Sequence, residues 1–273
     1  YDVRVVNVDE PKVTSPDDVV VKIMACGVCP FDVRIYSGGF KRTYPIPIGH
    51  EVSGIVADVG ENVKNVKVND KVAIDAMIRC DTCRYCRSGI NNLCENKDPL
   101  PNGFAEYMKI PAKYVHKITT NTISFEEAAL AEPLACIING LEKASVKLGD
   151  IVHIVGAGPI GLMFIKLCKL MGCKVIVSEV IDERLQYAKR VGADFAVNVK
   201  VENVVERVLE YTEGYGVNST ILTVTNQEVL NLALETTDKG GSILIFAVAS
   251  NPNLTVNVNT IHYKELKIVG SVK

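Results

Sequence analysis

The chain has 273 residues, 48% of them hydrophobic, with a formal net charge of −2 and a pI near 6.2. That size and apolar content suffice for a sizeable core and suggest two domains. The balanced charge argues against a nucleic-acid partner, and no apolar run reaches the ~18 residues that a membrane span requires. No signal peptide is visible, although the sequence opens on Tyr1 rather than methionine. Nine cysteines, spaced as described below, suggest metal ligation in a reducing cytoplasm rather than a disulfide framework.

Residues 1 to about 25 alternate apolar and polar, as in Val3-Arg4-Val5 and Asp18 to Ile23, and read as short strands separated by the turn Thr14-Ser15-Pro16-Asp17. The β-rich pattern continues from Ile48 to Val72, punctuated by Gly49, Gly54, Gly60 and Asn69-Asp70. The first half is therefore expected to be mostly β. Within it, Cys26-Gly27-Val28-Cys29 contains a C-x-x-C, but no thioredoxin-like βαβ pattern surrounds it to support a redox pair. Gly49-His50-Glu51 is only suggestive alone, because a lone histidine is more often a satisfied polar residue than a ligand.

Cys80, Cys83, Cys86 and Cys94 form the most specific signal in the chain, C-x2-C-x2-C-x7-C within fifteen residues. Four thiolates at this spacing suit one tetrahedral zinc with no open coordination position, hence a structural ion. Iron–sulfur ligation and disulfides are the alternatives. Further on, Ser124 is a plausible N-cap with Glu127 at N3, opening a helical segment from Phe125 to Ala135. Glu132 falls in an otherwise apolar part of it with no basic residue nearby. A buried carboxylate needs a metal, a partner or a proton, which marks Glu132 as a functional candidate.

The β-branched run Val152 to Val155 leads into Gly156-Ala157-Gly158-Pro159-Ile160-Gly161 and an apolar, helix-like stretch to Leu170. A second β-rich run closes on Glu179, eighteen residues beyond Gly161. Strand, G-x-G-x-x-G, helix, strand and acid is the context that points to dinucleotide binding: Gly156 for a tight turn, Gly158 for approach of a pyrophosphate, Gly161 for close helix packing. Glu179 is expected to accept ribose hydroxyls and repel a 2′-phosphate, favouring NAD over NADP; the alternative is a solvated acid at a strand end. Arg184 either contacts the adenosine end or faces water. Strands at Phe195–Val199, Thr220–Val224, Ser242–Val248 and Leu266–Val269, alternating with helices at Glu202–Glu210 and Gln227–Glu235, complete six strands of a doubly wound α/β sheet.

In order along the chain, Gly27-Val28-Cys29 with Asp32, Gly49-His50-Glu51, the four-cysteine lobe, Gly103-Phe104-Ala105-Glu106-Tyr107, Glu132-Pro133-Leu134 and the glycine turn resemble the zinc-dependent medium-chain alcohol dehydrogenases, especially the sorbitol and threonine dehydrogenase branch. The resemblance implies a mostly-β GroES-like catalytic domain over 1–140, with a structural zinc lobe at 80–94, and a Rossmann NAD-binding domain over 141–273. It implies two zinc ions per chain. The catalytic one would be held by Cys29, His50 and either Glu51 or Glu132, with Asp32 fixing the histidine tautomer and Cys26 only a neighbour. Ala247 and Val248, like Pro159 and Ile160, would line the cofactor site. A secondary alcohol, polyol or hydroxy-amino acid would pass hydride to NAD, in a homodimer or homotetramer pairing near Leu266 to Val269.

Two departures stand out. The family usually places a serine or threonine where this chain has Phe31, which can neither donate nor accept a proton. A later relay position, often histidine, is Arg34, a poor base. Family members also continue beyond the sixth strand with a helix that returns to the catalytic domain, and this sequence stops before it. The loss of the relay makes a non-catalytic dinucleotide-binding protein the alternative reading, while the metal ligands oppose both that and a zinc-free reductase.

Overall fold

The computed structural model describes residues 2–39, 44–97 and 102–272. The chain divides into two compact units, Tyr1–Leu134 and Ala135–Lys273. Among the described residues, no helix is long and apolar enough to cross a membrane.

The first unit is built on β1 (Asp18–Gly27), β2 (Glu51–Val59), β3 (Lys71–Ile74), β4 (Tyr107–Pro111) and β5 (Val115–Lys117). They form one antiparallel sheet in the order β4-β1-β2-β3-β5. Alternate residues of these strands, among them Val19, Val21, Val52, Val56, Val72, Ile74 and Ile110, share a single buried core. The expected strand at Val3-Arg4-Val5 does not form. Residues 2–13 lie outside both sheets and Val3, Val5, Val6 and Val8 are exposed. Alternation gives a strand a face, but without a neighbouring edge to pair with it makes no ladder.

The α-helices of this unit among the described residues are α1 (Pro30–Tyr36), α2 (Arg84–Arg87), α3 (Phe125–Ala129), which packs on β1, β2 and β3, and the start of α4 (Ala131–Ala144). Ser124 caps α3 as its sequence suggests: its Oγ accepts from Glu127 N at 3.1 Å while the Glu127 carboxylate accepts from Ser124 N at 2.7 Å. The single helical segment expected from Phe125 onward is broken at Leu130. Pro133 explains the break, since its ring would clash with the carbonyl four residues back and it offers no N–H; proline is tolerated only in a first turn, so the helix restarts at Ala131.

The second unit alternates β6 (Ile151–Val155), α5 (Pro159–Leu170), β7 (Lys174–Glu179), α6 (Asp182–Val191), β8 (Phe195–Asn198), α7 (Val204–Tyr211), β9 (Val217–Leu222), α8 (Gln227–Thr236), β10 (Thr237–Ile245), α9 (Val258–Lys264) and β11 (Lys267–Gly270). All six strands are parallel, in the order β11-β10-β9-β6-β7-β8. Strand order reverses beside β6, which opens a crevice at the carboxyl ends of β6 and β9. Both sheet faces are covered, one core including Ile154, Phe164, Val175, Val177 and Leu244 and the other Val155, Leu222, Leu230 and Ile243. That is why these strands read as continuous apolar runs rather than alternating ones. β10 starts earlier than expected because Thr237 already pairs with Val217; Asp238 to Gly241 then stand outside the ladders of both neighbours before pairing resumes at Ser242.

A titratable imidazole sits within this interior. His153 of β6 is fully buried, with Nε2 2.9 Å from Ser178 Oγ and no partner for Nδ1. Burial disfavours the imidazolium and pushes its pKa down to about 4. The unfolded chain therefore takes up this proton first as pH falls, and stability is lost between the ordinary histidine pKa of ~6.5 and about 4, with a slope approaching ~1.4 kcal/mol per pH unit. Urea unfolding measured across that window should show a shallower slope in His153→Leu than in the wild type.

Candidate functional site

The site in the first unit follows from one strand pair. The β1–β2 ladder ends with Gly27 opposite Glu51. The chain leaving β1 turns at Cys29, which N-caps α1 with Pro30 in its first turn, while His50 immediately precedes β2. One ligand atom from each of Cys29, His50 and Glu51 consequently lies within 4.8 Å of the others. His50 and Glu51 are buried and Cys29 is half-buried. Glycine makes the space. A Cβ on Gly27 would sit 2.0 Å from Glu51 Oε2, and one on Gly103 would sit 2.7 Å from the Gly49 carbonyl. Gly49 itself has φ +92°, a conformation that favours glycine.

Asp32 ties these pieces together. Its Oδ2 accepts from Cys29 N at 2.9 Å, its Oδ1 from Gly49 N at 3.2 Å, and Oδ1 lies 3.7 Å from His50 Nδ1. The last distance is too long for a hydrogen bond, so the pairing with the imidazole is electrostatic. Burial opposes the Asp32 charge, but His50 and the two N–H donors outweigh it and hold the carboxyl below its usual range. Burial likewise opposes charge on His50, yet Asp32, Cys29 and Glu132 raise its pKa to about 10. Burial and then the neighbouring Glu132 push Glu51 up. Phe31 faces the imidazole edge-on, with ring centroids 6.0 Å apart.

Two sequence-level candidates stand apart from the tight group. Glu132, in the first turn of α4, is half-buried rather than buried, and is near enough to act electrostatically on His50 and Glu51. Cys26 points its thiol toward Gly27 O at 3.6 Å, and burial raises its pKa to about 12, so it stays a thiol.

The four-cysteine lobe is a second cluster. Ligand atoms of Cys80, Cys83, Cys86 and Cys94 lie within 4.8 Å of one another. The Cys80 and Cys94 sulfurs are 3.5 Å apart, far beyond a disulfide bond of ~2.05 Å and close to the ~3.8 Å edge of a tetrahedron with ~2.3 Å zinc–sulfur bonds. Backbone N–H groups of Cys80 and Cys83 point at the sulfurs of Cys94 and Cys80, each at 3.4 Å. Hydrogen bonds from Cys83 and Thr82 draw Cys80 down to about 5, whereas desolvation and the adjoining thiols hold Cys86 near 12. Four sulfurs held this closely can all lose their protons only to a cation that takes up the charge. Both donor sets fit zinc, a closed S₄ set here and a mixed S, N, O set with room for a further ligand at Cys29.

In the second unit, Gly156 has φ +98° and a Cβ there would lie 2.4 Å from Thr223 Oγ1. A Cβ on Gly161 would meet Gly156 O at 2.0 Å, whereas Gly158 faces open space. Pro159 is the first residue of α5, and the earliest helical hydrogen bond runs from Leu162 N to Gly158 O at 2.9 Å, leaving the N–H groups of Ile160 and Gly161 to point outward. Glu179 is buried at the end of β7. Its Oε2 accepts from Ala157 N at 2.8 Å, and its Oε1 from Val180 N at 2.7 Å and Ile181 N at 3.2 Å. Arg184 Nη1 is 3.7 Å from Oε2. The carboxylate is thus bound into the glycine turn itself. Ala247 lies just past β10, where its carbonyl accepts from Thr225 Oγ1 at 2.9 Å, and Val248 beside it is 70% exposed. Thr223 and Thr225, which sequence reasoning passed over, close the carboxyl end of β9; hydroxyls directly after a strand beside the glycine turn were the available signal.

A β-rich unit carrying two zinc-type donor clusters, followed by a dinucleotide-type parallel sheet, defines a metal- and nicotinamide-dependent oxidoreductase. Comparison agrees. The alcohol dehydrogenase GroES-like domain matches residues 15–120 and the zinc-binding dehydrogenase domain residues 159–272. Sorbitol dehydrogenase of Bacillus subtilis (strain 168) is 32% identical over 264 residues, covering 93% of this chain and 74% of that protein. L-Threonine 3-dehydrogenase of Caldanaerobacter subterraneus subsp. tengcongensis is 34% identical, covering 97% and 78%. A structure assigned as a zinc-binding dehydrogenase from Sinorhizobium meliloti 1021, bound to NADP, superposes with a TM-score of 0.91 at 32% identity, covering 97% of this chain and 79% of that one. The chain belongs to the zinc-dependent medium-chain alcohol dehydrogenase family, in its sorbitol and threonine dehydrogenase-like branch.

Removing the group that orients a metal-binding histidine typically weakens metal affinity by about 10–100-fold. Asp32→Ala should show that loss in a chelator competition, while zinc in the Cys80–Cys94 lobe is retained. With the His50 pKa raised to about 10, a zinc ion bound through this imidazole would have to displace its proton, so apparent zinc affinity at this site would be expected to rise with pH toward that value.

Proposed function

We propose that this chain oxidises a secondary alcohol, in a polyol or hydroxy-amino acid, by hydride transfer to NAD at a zinc site held by Cys29, His50 and a glutamate. The observation that carries the reading is the convergence of Cys29, His50 and Glu51 within 4.8 Å, with Glu132 acting on them from α4. Bound zinc supplies Lewis acidity toward the substrate hydroxyl and the nicotinamide accepts the hydride.

The remaining work falls to the chain. Cys29, His50 and Glu51 offer three donors, with Glu132 the alternative third or an exchange partner. Asp32 orients His50 so that Nε2 is the nitrogen presented to metal, its Nδ1 being turned to the carboxylate. Phe31 walls the pocket with an apolar ring and carries no proton. The Arg34 guanidinium offers donors and no acceptor, so the proton released on oxidation leaves through the carboxylates Glu51 and Glu132 or through water. Ile160 and Gly161 offer N–H groups to the pyrophosphate at the open Gly158, and Ala247 and Val248 follow β10 at the same carboxyl end of the sheet. Glu179 favours NAD by setting a negative charge where a 2′-phosphate would lie, and Arg184 faces the adenosine end.

The Cys80–Cys94 lobe holds a second, structural zinc in this reading. Nine free thiols suit a reducing cytoplasm. β11 ends the sheet order and offers the edge at which two copies pair, as a homodimer or within a homotetramer. Against the non-catalytic alternative that Phe31 suggests stands the convergence of metal ligands, for which a silent site has no use.

Elemental analysis tests the reading directly. About two zinc ions per chain are expected, falling to about one in Cys29→Ala with loss of NADH formation from polyols or threonine. About one zinc in both proteins would sink it. A substrate panel run with NAD and NADP in parallel then names the alcohol and the cofactor.

A further inference from the structure

A cleft in the second unit lies away from the glycine turn, at the amino ends of the parallel strands. It is lined by the Lys147–Asp150 turn before β6, Asn218 of β9, the unpaired Lys239–Gly241 segment of β10, and Lys267 of β11. Its volume is about 160 Å³.

The charge in this cleft is lopsided. Lys147, Lys239 and Lys267 are exposed, and among the described residues none of their ammonium groups has an ion-pair or hydrogen-bond partner. Such pairing is otherwise common in this chain: Lys117, Lys169 and Lys264 all have close partners, at 2.7 to 2.9 Å. The one acid in the lining, Asp150, spends Oδ2 on Lys147 N at 2.8 Å. Asn218 Oδ1 accepts from Ile151 N at 2.7 Å, which turns its NH₂ away from that strand as a donor. Gly240 has φ +73°, a Cβ there would meet nothing within 4 Å, and the segment around it is free of both neighbouring ladders. Three ammonium groups, an amide and a bare glycine backbone are therefore gathered around a small concavity with Asp150 the one carboxylate in its lining and Asp238, which accepts from Lys239 N at 2.7 Å, beside it.

We propose that this cleft is a second anion site, for a small phosphate-bearing molecule distinct from the dinucleotide bound at the Gly156–Gly161 turn. Ammonium groups on flexible stems and a side-chain amide suit phosphate oxygens, which accept several charge-assisted hydrogen bonds at once. The small volume and the whole chain's net charge of −2 argue for a compact ligand rather than an extended polyanion, which would need a broad basic face.

Inorganic pyrophosphate is the probe, titrated calorimetrically into the protein already saturated with NADH so that the glycine turn is occupied. Binding is expected to persist under saturation and to weaken as salt is raised. The combined Lys147→Gln, Lys239→Gln, Lys267→Gln variant should bind pyrophosphate at least about tenfold more weakly while its NADH affinity is unchanged. Arginine at the same three positions should restore binding. These side chains are exposed and outside both cores, and matching thermal unfolding would show that the variants fold. Absence of binding to the NADH-saturated wild type, or equal binding by the glutamine variant, overturns the proposal.

Discussion

The carboxylate of Asp32 is the constraint on which the first unit's site depends. It is almost fully buried, and a buried charge is costly unless several donors meet it. Here the donors belong to both ligand-bearing segments, Cys29 N on one side and Gly49 N on the other. The loop after β1 and the loop before β2 are therefore locked at a fixed separation by one residue that itself needs touch no metal. The glycines at 27, 49 and 103 matter for the same reason: each removes a Cβ where two backbones or a carboxylate must come closer than a side chain allows.

The second unit solves a similar problem with the opposite sign. A glycine turn that presents N–H groups outward has lost the side chains that would hold it in shape. Glu179 replaces them, reaching from the end of β7 to Ala157 N and bracing its own corner through Val180 N and Ile181 N. In the functional reading proposed here the same carboxylate also confronts the ribose, so shaping the turn and selecting the cofactor are coupled in one residue.

How much of this was legible in the sequence depended on range. The glycine turn, the strand–helix alternation and the Ser124–Glu127 cap rest on spacing within a few residues, and they appear where the sequence puts them. The four-cysteine lobe is equally local. Cys29, His50 and Glu51 were visible only as separate motifs, because their proximity comes from the register that sets Gly27 opposite Glu51, which periodicity does not encode. The failure at Val3 to Val8 has the same root, an alternating pattern with no edge to pair with. The partners of Glu179 were hidden for another reason: a side chain bonded to backbone N–H groups leaves no signature in residue type. The break before α4, by contrast, was written in Pro133 and overlooked.

The two metal-type clusters also differ in how they can be assembled. The four cysteines close within fifteen residues, so the chain segment that carries them brings its donors together at small entropic cost, even before the surrounding sheet exists. Cys29, His50 and Glu51 meet only after two strands have paired over most of their length. If both clusters hold the ions proposed above, a newly made chain would acquire its lobe ion first and its second ion only as a late product of tertiary structure. Occupancy of the Cys29 cluster would then be a built-in report that the first unit has finished folding.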